Sequence, residues 1–345
     1  MKYYIGLDAH AATSTGVVID QEGKIIFRET FETTEGNLWH FIERVQGERN
    51  LTFEESHLSQ WLYVTLKDKV EKLVVCNPVY LAKKPGAKTD FRDALHLAQE
   101  LRCGHVQAVH HEQSAWIELR MLVSGYLDLV SQIAACKNRL KALFRMEAIK
   151  TSESKFYKNR NRIKEIANEQ SRFAANSFYE QIDFLEREKQ TYKIEFQRNK
   201  TRYRPIRNLM SIPGIDLIRA NIIAAVVCTP HRFKNKHQFW GYCMLVRHIQ
   251  ASGGRIYGNK RVHGRGELRN VFIGAAESAL RSKTALRDHY EARRAMGLSH
   301  KAAKLSLARK IASLSLSLLK NNETYQDDFE QRLSERIAIR KTLNL

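Results

Sequence analysis

Two aspartates three positions apart, Asp90 and Asp93, carry the clearest chemistry in the chain, within Lys88-Thr89-Asp90-Phe91-Arg92-Asp93-Ala94. Ala94, Leu95, Leu97, Ala98 and Leu101 recur behind them and predict a helix from 90 to about 102. Positions i and i+3 share a helix face, so both carboxylates can point at one spot. Paired oxygen ligands suit Mg²⁺ (or Mn²⁺), held by one or two carboxylates plus substrate phosphate. The plainer account makes Asp90 the helix N-cap and Asp93 a first-turn acid favoured by the dipole. A second stretch runs Gln250-Ala251-Ser252-Gly253-Gly254-Arg255 and on through residues 258–269. Ser252 precedes two glycines, on backbone that a ligand can approach closely. Arg255, Lys260, Arg261, Arg265 and Arg269 follow it, enough cations to hold several phosphates. Taken alone, the stretch reads as a basic glycine-rich loop that grips nucleic-acid backbone, with Ser252 a turn residue.

Charge says what kind of partner these residues meet. The 345 residues carry a formal net charge of +20 and a pI near 9.8, which points to a polyanion. Residues 1–100 have a net charge of −3, residues 101–200 of +6 and residues 201–345 of +17. An acidic N-terminal part is wrong for phosphate unless metal ions sit in it, which suits a carboxylate metal site. No apolar run reaches the roughly 18 residues of a membrane span, and the N-terminus has no signal-peptide pattern. Five scattered cysteines without a CxxC pair predict reduced thiols in a cytoplasmic protein, neither a disulfide framework nor a zinc site. His105, His110 and His111 lack a regular ligand spacing and are expected at the surface or at helix ends. No Walker-type loop points to ATP.

The elements that must position these residues read as follows. Residues 3–8, 16–20 and 24–28 predict strands, the last two joined by a turn at Gln21-Glu22-Gly23. Thr34 predicts a helix N-cap, with Leu38, Phe41, Ile42 and Val45 on one face. Residues 51–54 predict a short strand ending in an acid, Leu58, Trp61, Leu62 and Leu66 a helix, and residues 72–76 another strand. The order makes an α/β domain of about 105 residues. From 114 to 148 and from about 160 to 200 apolar residues recur at helical spacing with no proline. Two long helices joined by the basic stretch 150–162 predict a coiled-coil hairpin, serving either as spacer or as dimerisation arm. Ile212-Pro213-Gly214-Ile215 lies between helical segments and fits either an ordinary helix–helix turn or a hairpin whose backbone N–H groups grip DNA phosphates. Phe233, Phe239, Trp240, Tyr242 and Leu245 are expected in a core.

Three signatures together resemble a known family. "GLDAH" around Asp8, "FEES" around Glu54 and "KTDFRDALHLA" around Asp90 and Asp93 are similar to the Asp-Glu-Asp-Asp transposases of bacterial insertion sequences. These form the Piv-like, insertion-sequence one-ten group, whose N-terminal domain is similar to the Holliday-junction resolvase RuvC. The "SGG" at Ser252 with the "G-x-L-R" at Gly266 resembles the transposase domain of the same group, and the likeness covers nearly the whole chain. It implies an RNase H-like, RuvC-like α/β domain at 1–110, a helical coiled-coil arm at 111–203, a mostly α-helical transposase domain at 204–322 and a charged tail at 323–345. It further implies that Asp8, Glu54, Asp90 and Asp93 bind Mg²⁺ (or Mn²⁺), with Glu55 the alternative to Glu54. Ser252 becomes the nucleophile, and Arg255, Lys260, Arg261, Arg265, Arg269 and Gly214 become nucleic-acid contacts. The implied partners are DNA junctions, a structured guide ("bridge") RNA and further copies of the chain, from dimer to tetramer, with no membrane. The competing readings are a water-using junction nuclease, a non-catalytic nucleic-acid binder on a nuclease-like fold, and a guide-free DNA invertase.

Overall fold

Two short apolar runs and an alternating third strand make an antiparallel meander of the first thirty residues. Strand β1 (Lys2–Ala9) pairs with β2 (Thr13–Ile19), and β2 with β3 (Ile25–Glu32). The turn before β3 is held by Asp20, whose Oδ1 accepts from the N–H groups of Glu22 at 3.0 Å and Lys24 at 2.9 Å. Strands β4 (Glu48–Glu54) and β5 (Lys72–Cys76) then add parallel to the other side of β1. The sheet order is therefore β3-β2-β1-β4-β5.

A computed structural model describes residues 1–81, 89–111, 115–152 and 156–327. It divides into two compact units, Met1–Ser114 and Ala115–Leu345. In the first, helices α1 (Glu35–Glu43) and α2 (Ser59–Leu66) bury Leu38, Phe41, Ile42, Leu62 and Leu66 on one face of the sheet, against Ile5, Leu7, Leu51, Phe53 and Val75. Each such side chain contributes on the order of 1.5–3 kcal/mol. Thr34 caps α1 as predicted, its hydroxyl accepting from the N–H of Asn37 at 3.3 Å. Helix α3 (Asp90–Cys103) covers the other face, where Ala94 and Ala98 meet Val17 and Ile19. The backbones approach so closely that a Cβ on Gly6 would lie 2.0 Å from the Ala94 carbonyl oxygen.

In the second unit α4 (Ala115–Met146) and α5 (Glu169–Arg202) form an antiparallel hairpin. The second helix begins later than the expected start at about 160. Residues 160–165 form a 3₁₀ turn and α5 begins only at Glu169, behind the Asn168 cap. The reason is a small core at the hairpin end, where Phe156 packs edge-on against Phe144 at 4.9 Å and is buried with Leu140, Ile166 and Tyr179. At the other end Leu119, Val123, Tyr126 and Phe196 enter the core of the remaining helices. Those helices are α6 (Arg204–Met210), α7 (Leu217–Val227), α8 (Lys236–Tyr242), α9 (Gly266–Ala279), α10 (Ala285–Ala295) and α11 (His300–Asn321). Helix α7 is buried at every position from 220 to 227. Phe233, Phe239 and Leu245 are core residues as expected, and Trp240 and Tyr242 pack against that core. Between α8 and α9 the chain makes one antiparallel ribbon, β6 (Arg247–Ser252) with β7 (Arg255–Arg261). That ribbon replaces the glycine-rich loop expected there.

Candidate functional site

Asp8, one residue before the end of β1, lies on the same side as Gly6, two residues earlier, and so faces α3. The cap of α3 is Thr89, whose Oγ1 accepts from the N–H of Arg92 at 3.3 Å. This corrects the account in which Asp90 caps the helix. Asp90 is the first helical residue, and its carboxylate is left for other work. Ligand atoms of Asp8, His10 and Asp90 all lie within 4.8 Å of one another. His10 Nε2 is 3.4 Å from Asp8 Oδ2. Burial raises the Asp8 carboxyl above its usual value, His10 opposes that, and the negative charges of Asp90 and Asp93 push it further up. Two carboxylates and one imidazole thus converge on one spot, with Asp93 close enough to act on Asp8 through its charge. This donor set fits a divalent cation.

Glu54 reaches the same region through the sheet. The parallel register pairs Leu7 with Phe53, so Glu54 follows on β4 where Asp8 follows on β1. Side chains alternate along a strand, which sets Glu54 on the α3 side and gives Glu55 the opposite direction. Glu55 donates its N–H to the Cys76 carbonyl at 2.9 Å. Cys76 pairs with Glu54, and its thiol is pushed up to about 12 by burial and then by the Glu54 charge. It is an inert core thiol. His10 was missed by reasoning on carboxylates alone, although it stands in the "GLDAH" stretch two positions after Asp8. His105 sits 3.4 Å from Glu100 just beyond the end of α3, a helix-end role as expected, whereas His111 is half-buried against Tyr63 and bonds Gln60 at 3.2 Å.

Ser252 stands at the end of β6, opposite Arg255. Gly253 and Gly254 have φ of 56° and 76°, the left-handed pair that a two-residue hairpin turn demands. Nothing lies within 4 Å of where a Cβ would stand on either, so this exposed tip can be approached by a large ligand. At the ribbon's base Arg247 and Arg269 line a cavity of about 300 Å³ together with Gly266, the first residue of α9. Arg265 donates its N–H to the Tyr242 carbonyl at 2.7 Å. The side chains of Lys260 and Arg261, and all of Lys88, lie outside the described residues. Gly214 has a φ of 91°, and a Cβ there would lie 2.2 Å from the Ala275 carbonyl of α9. Close packing of the α6–α7 turn accounts for this glycine without any ligand.

Comparison with known families gives two matches. Residues 5–146 match the DEDD transposase model of IS110 elements, and residues 206–291 match the transposase model of the IS116/IS110/IS902 family. The chain belongs to the IS110 family of insertion-sequence transposases. The first match takes in Asp8, Glu54, Asp90 and Asp93 of this transposase, and the second takes in Gly214, Ser252 and the basic ribbon. No curated protein matches the chain. A transposase acts on DNA, which accounts for the sign of the C-terminal charge. No helix among the described residues is long and apolar enough to cross a membrane.

Proposed function

We propose that this transposase is a site-specific DNA recombinase that cuts and rejoins strands through Ser252, with Asp8, Glu54, Asp90 and Asp93 holding Mg²⁺ or Mn²⁺ in an RNase H-like domain. The observation that carries the metal site is the convergence of Asp8, His10 and Asp90 within 4.8 Å. Sheet order β3-β2-β1-β4-β5, with its antiparallel meander and parallel additions, supports the RNase H-like reading. The bound ion would act as a Lewis acid on the scissile phosphate.

The chain's own residues do the rest. The Ser252 hydroxyl oxygen attacks phosphorus and releases its proton, an O–P bond forms, and the P–O3′ bond breaks. The leaving 3′ oxygen takes up a proton, and the strand's 5′ end remains as a phosphoserine ester. Attack by another strand's 3′-hydroxyl on that ester reverses the step and rejoins DNA without an external energy source. Arg255, Lys260, Arg261, Arg265 and Arg269 neutralise the charge of the pentavalent phosphorus. Target choice by base pairing with a structured bridge RNA belongs to the same reading, supported by the net +17 of residues 201–345. So does assembly into a dimer or tetramer, supported by Phe173, Phe184 and Ile194 exposed along α5.

A covalent-trapping gel tests the proposal with labelled DNA carrying the element's junction, Mg²⁺, and the flanking-element RNA present or omitted. Wild type forms an adduct, while Ser252→Ala and Asp90→Ala do not. Cleavage without an adduct, retained by Ser252→Ala, leaves the water-using nuclease. Full recombination without RNA leaves the guide-free invertase.

A further inference from the structure

The β6–β7 ribbon carries an apolar surface that its own fold leaves uncovered. Ile249, Ile256 and Tyr257 are 63%, 68% and 69% exposed. Single exposed apolar residues are ordinary, but these three share one two-stranded ribbon whose principal contact is between its own strands. An isolated two-stranded hairpin is marginal in water, so the ribbon needs a partner to hold it. The register shifts between Gln250 and Ala251, pairing Gln250 with Gly258 and Ala251 with Ile256. Tyr257 is therefore the extra residue of a β-bulge, a device that re-aims a side chain and recurs beside active sites. It lies two residues beyond Arg255, the cross-strand partner of Ser252, or about 7 Å along the strand. That is within one or two nucleotides of a phosphate held at Ser252.

Charge chooses the partner. Residues 247–261 contain three arginines and a lysine and no acid, so two copies of the ribbon repel each other and a polyanion is attracted. An aromatic ring among cations on an open strand is how unpaired bases are gripped. We infer that Tyr257 is a stacking platform for an unpaired DNA base beside the phosphate that Ser252 attacks, with Ile249 and Ile256 extending its apolar surface. The position relative to the attacked phosphate rests on the reading of Ser252 given above; the stacking itself does not.

The test uses the full chain and two fluorescein-labelled probes, a 20-nucleotide mixed-sequence DNA strand and its 20-base-pair duplex, read by anisotropy at one salt concentration. Tyr257→Ala is expected to weaken single-strand binding by about 5- to 150-fold, the range for one lost stacked base. Duplex binding, which rests on phosphate contacts, should change by less than about twofold. Tyr257→Phe keeps the ring and should bind like wild type, while Tyr257→Leu, apolar without a ring, should resemble Tyr257→Ala. Equal losses on both probes, no loss on either, or a Tyr257→Phe variant as weak as Tyr257→Ala would overturn the inference. So would a Tyr257→Ala chain that sediments as a smaller oligomer without DNA, since the face would then be covered by a second copy. Ser252→Ala should retain the single-strand preference. If Ser252→Ala still cleaves DNA while Tyr257 governs single-strand binding, the nucleophile assignment fails and the stacking platform stands.

Discussion

Replacing Gly6 with alanine should separate the carboxylates of the candidate metal site without touching any of them. A Cβ on Gly6 would lie 2.0 Å from the Ala94 carbonyl oxygen and 2.5 Å from the Ala98 amide nitrogen. Both are backbone atoms of α3, so no rotamer change relieves the overlap. Returning the nearer contact to an ordinary 3.4 Å requires β1 and α3 to part by about 1.4 Å. Overpacking of this kind costs roughly 1–3 kcal/mol, which for a unit of about 100 residues lowers the melting temperature by roughly 5–20 °C. Asp8 rides on β1 and Asp90 on α3, and their ligand atoms start within 4.8 Å. Two ligands of one Mg²⁺ at about 2.1 Å cannot be more than roughly 4.2 Å apart. The parted site must therefore close against strain before it can bind. Thermal melting with and without Mn²⁺, and Mn²⁺ titration, should show a lower melting point and metal binding weakened by about tenfold or more, the equivalent of roughly 1.4 kcal/mol. Gly36→Ala is the control, because nothing lies within 4 Å of a Cβ there. It sits inside α1 and should be neutral or stabilising by up to about 1 kcal/mol. A Gly6→Ala chain with wild-type melting and wild-type Mn²⁺ affinity would refute the close-approach argument.

Other perturbations probe separate parts of the molecule. Asp8→Asn should abolish stabilisation by Mn²⁺, which for a bound ion at 100 times its Kd amounts to about 2.7 kcal/mol, yet melt no earlier than wild type in chelator. Its carboxyl is raised by burial and by Asp90 and Asp93, so an earlier melt in chelator would contradict that origin. Thr89→Ala removes the α3 cap and should cost about 1 kcal/mol, with faster amide exchange in the first turn around Asp90 as the local readout. Glu186 is raised by partial burial but held below the usual carboxylate value by hydrogen bonds from Lys137 and Lys189, each at 3.0 Å. A depressed carboxyl contributes stability above its unfolded pKa and loses it as pH falls through the folded value. Glu186→Gln should thus destabilise the α4–α5 hairpin at pH 7 by at most about 1 kcal/mol, since the pair is partly exposed. The difference should vanish in acid, and a difference that persists there would exclude the ion pairs as its source. Phe156→Ala empties the core at the hairpin end and should cost about 3–5 kcal/mol, read as proteolytic nicking between α4 and α5.

Much of the molecule was legible in local pattern, because strand and helix periods are set by neighbouring residues. Short apolar runs bounded by turn residues predicted β1, β2 and β5, Thr34 announced the start of α1, and three-residue spacing set Asp90 and Asp93 on one face of α3. The ribbon at 247–261 was not legible, since four of its fifteen residues are cations and three are glycines, leaving no apolar alternation to mark strands. The register of its tip and the exposure of Tyr257 came with the folded chain. The start of α5 was likewise set too early, at about 160 instead of Glu169, because only folding shows that Phe156 turns inward and the chain packs around it. Sequence alone determined which residue types could do chemistry, and the charge of the partner they would meet. Which of them meet was decided by tertiary structure. Asp8 and Glu54 are 46 positions apart and become neighbours through the parallel pairing of β1 with β4, and Asp90 joins Asp8 because Gly6 lets α3 lie against the sheet. Strand order and helix docking depend on contacts between distant segments, and no local period encodes them.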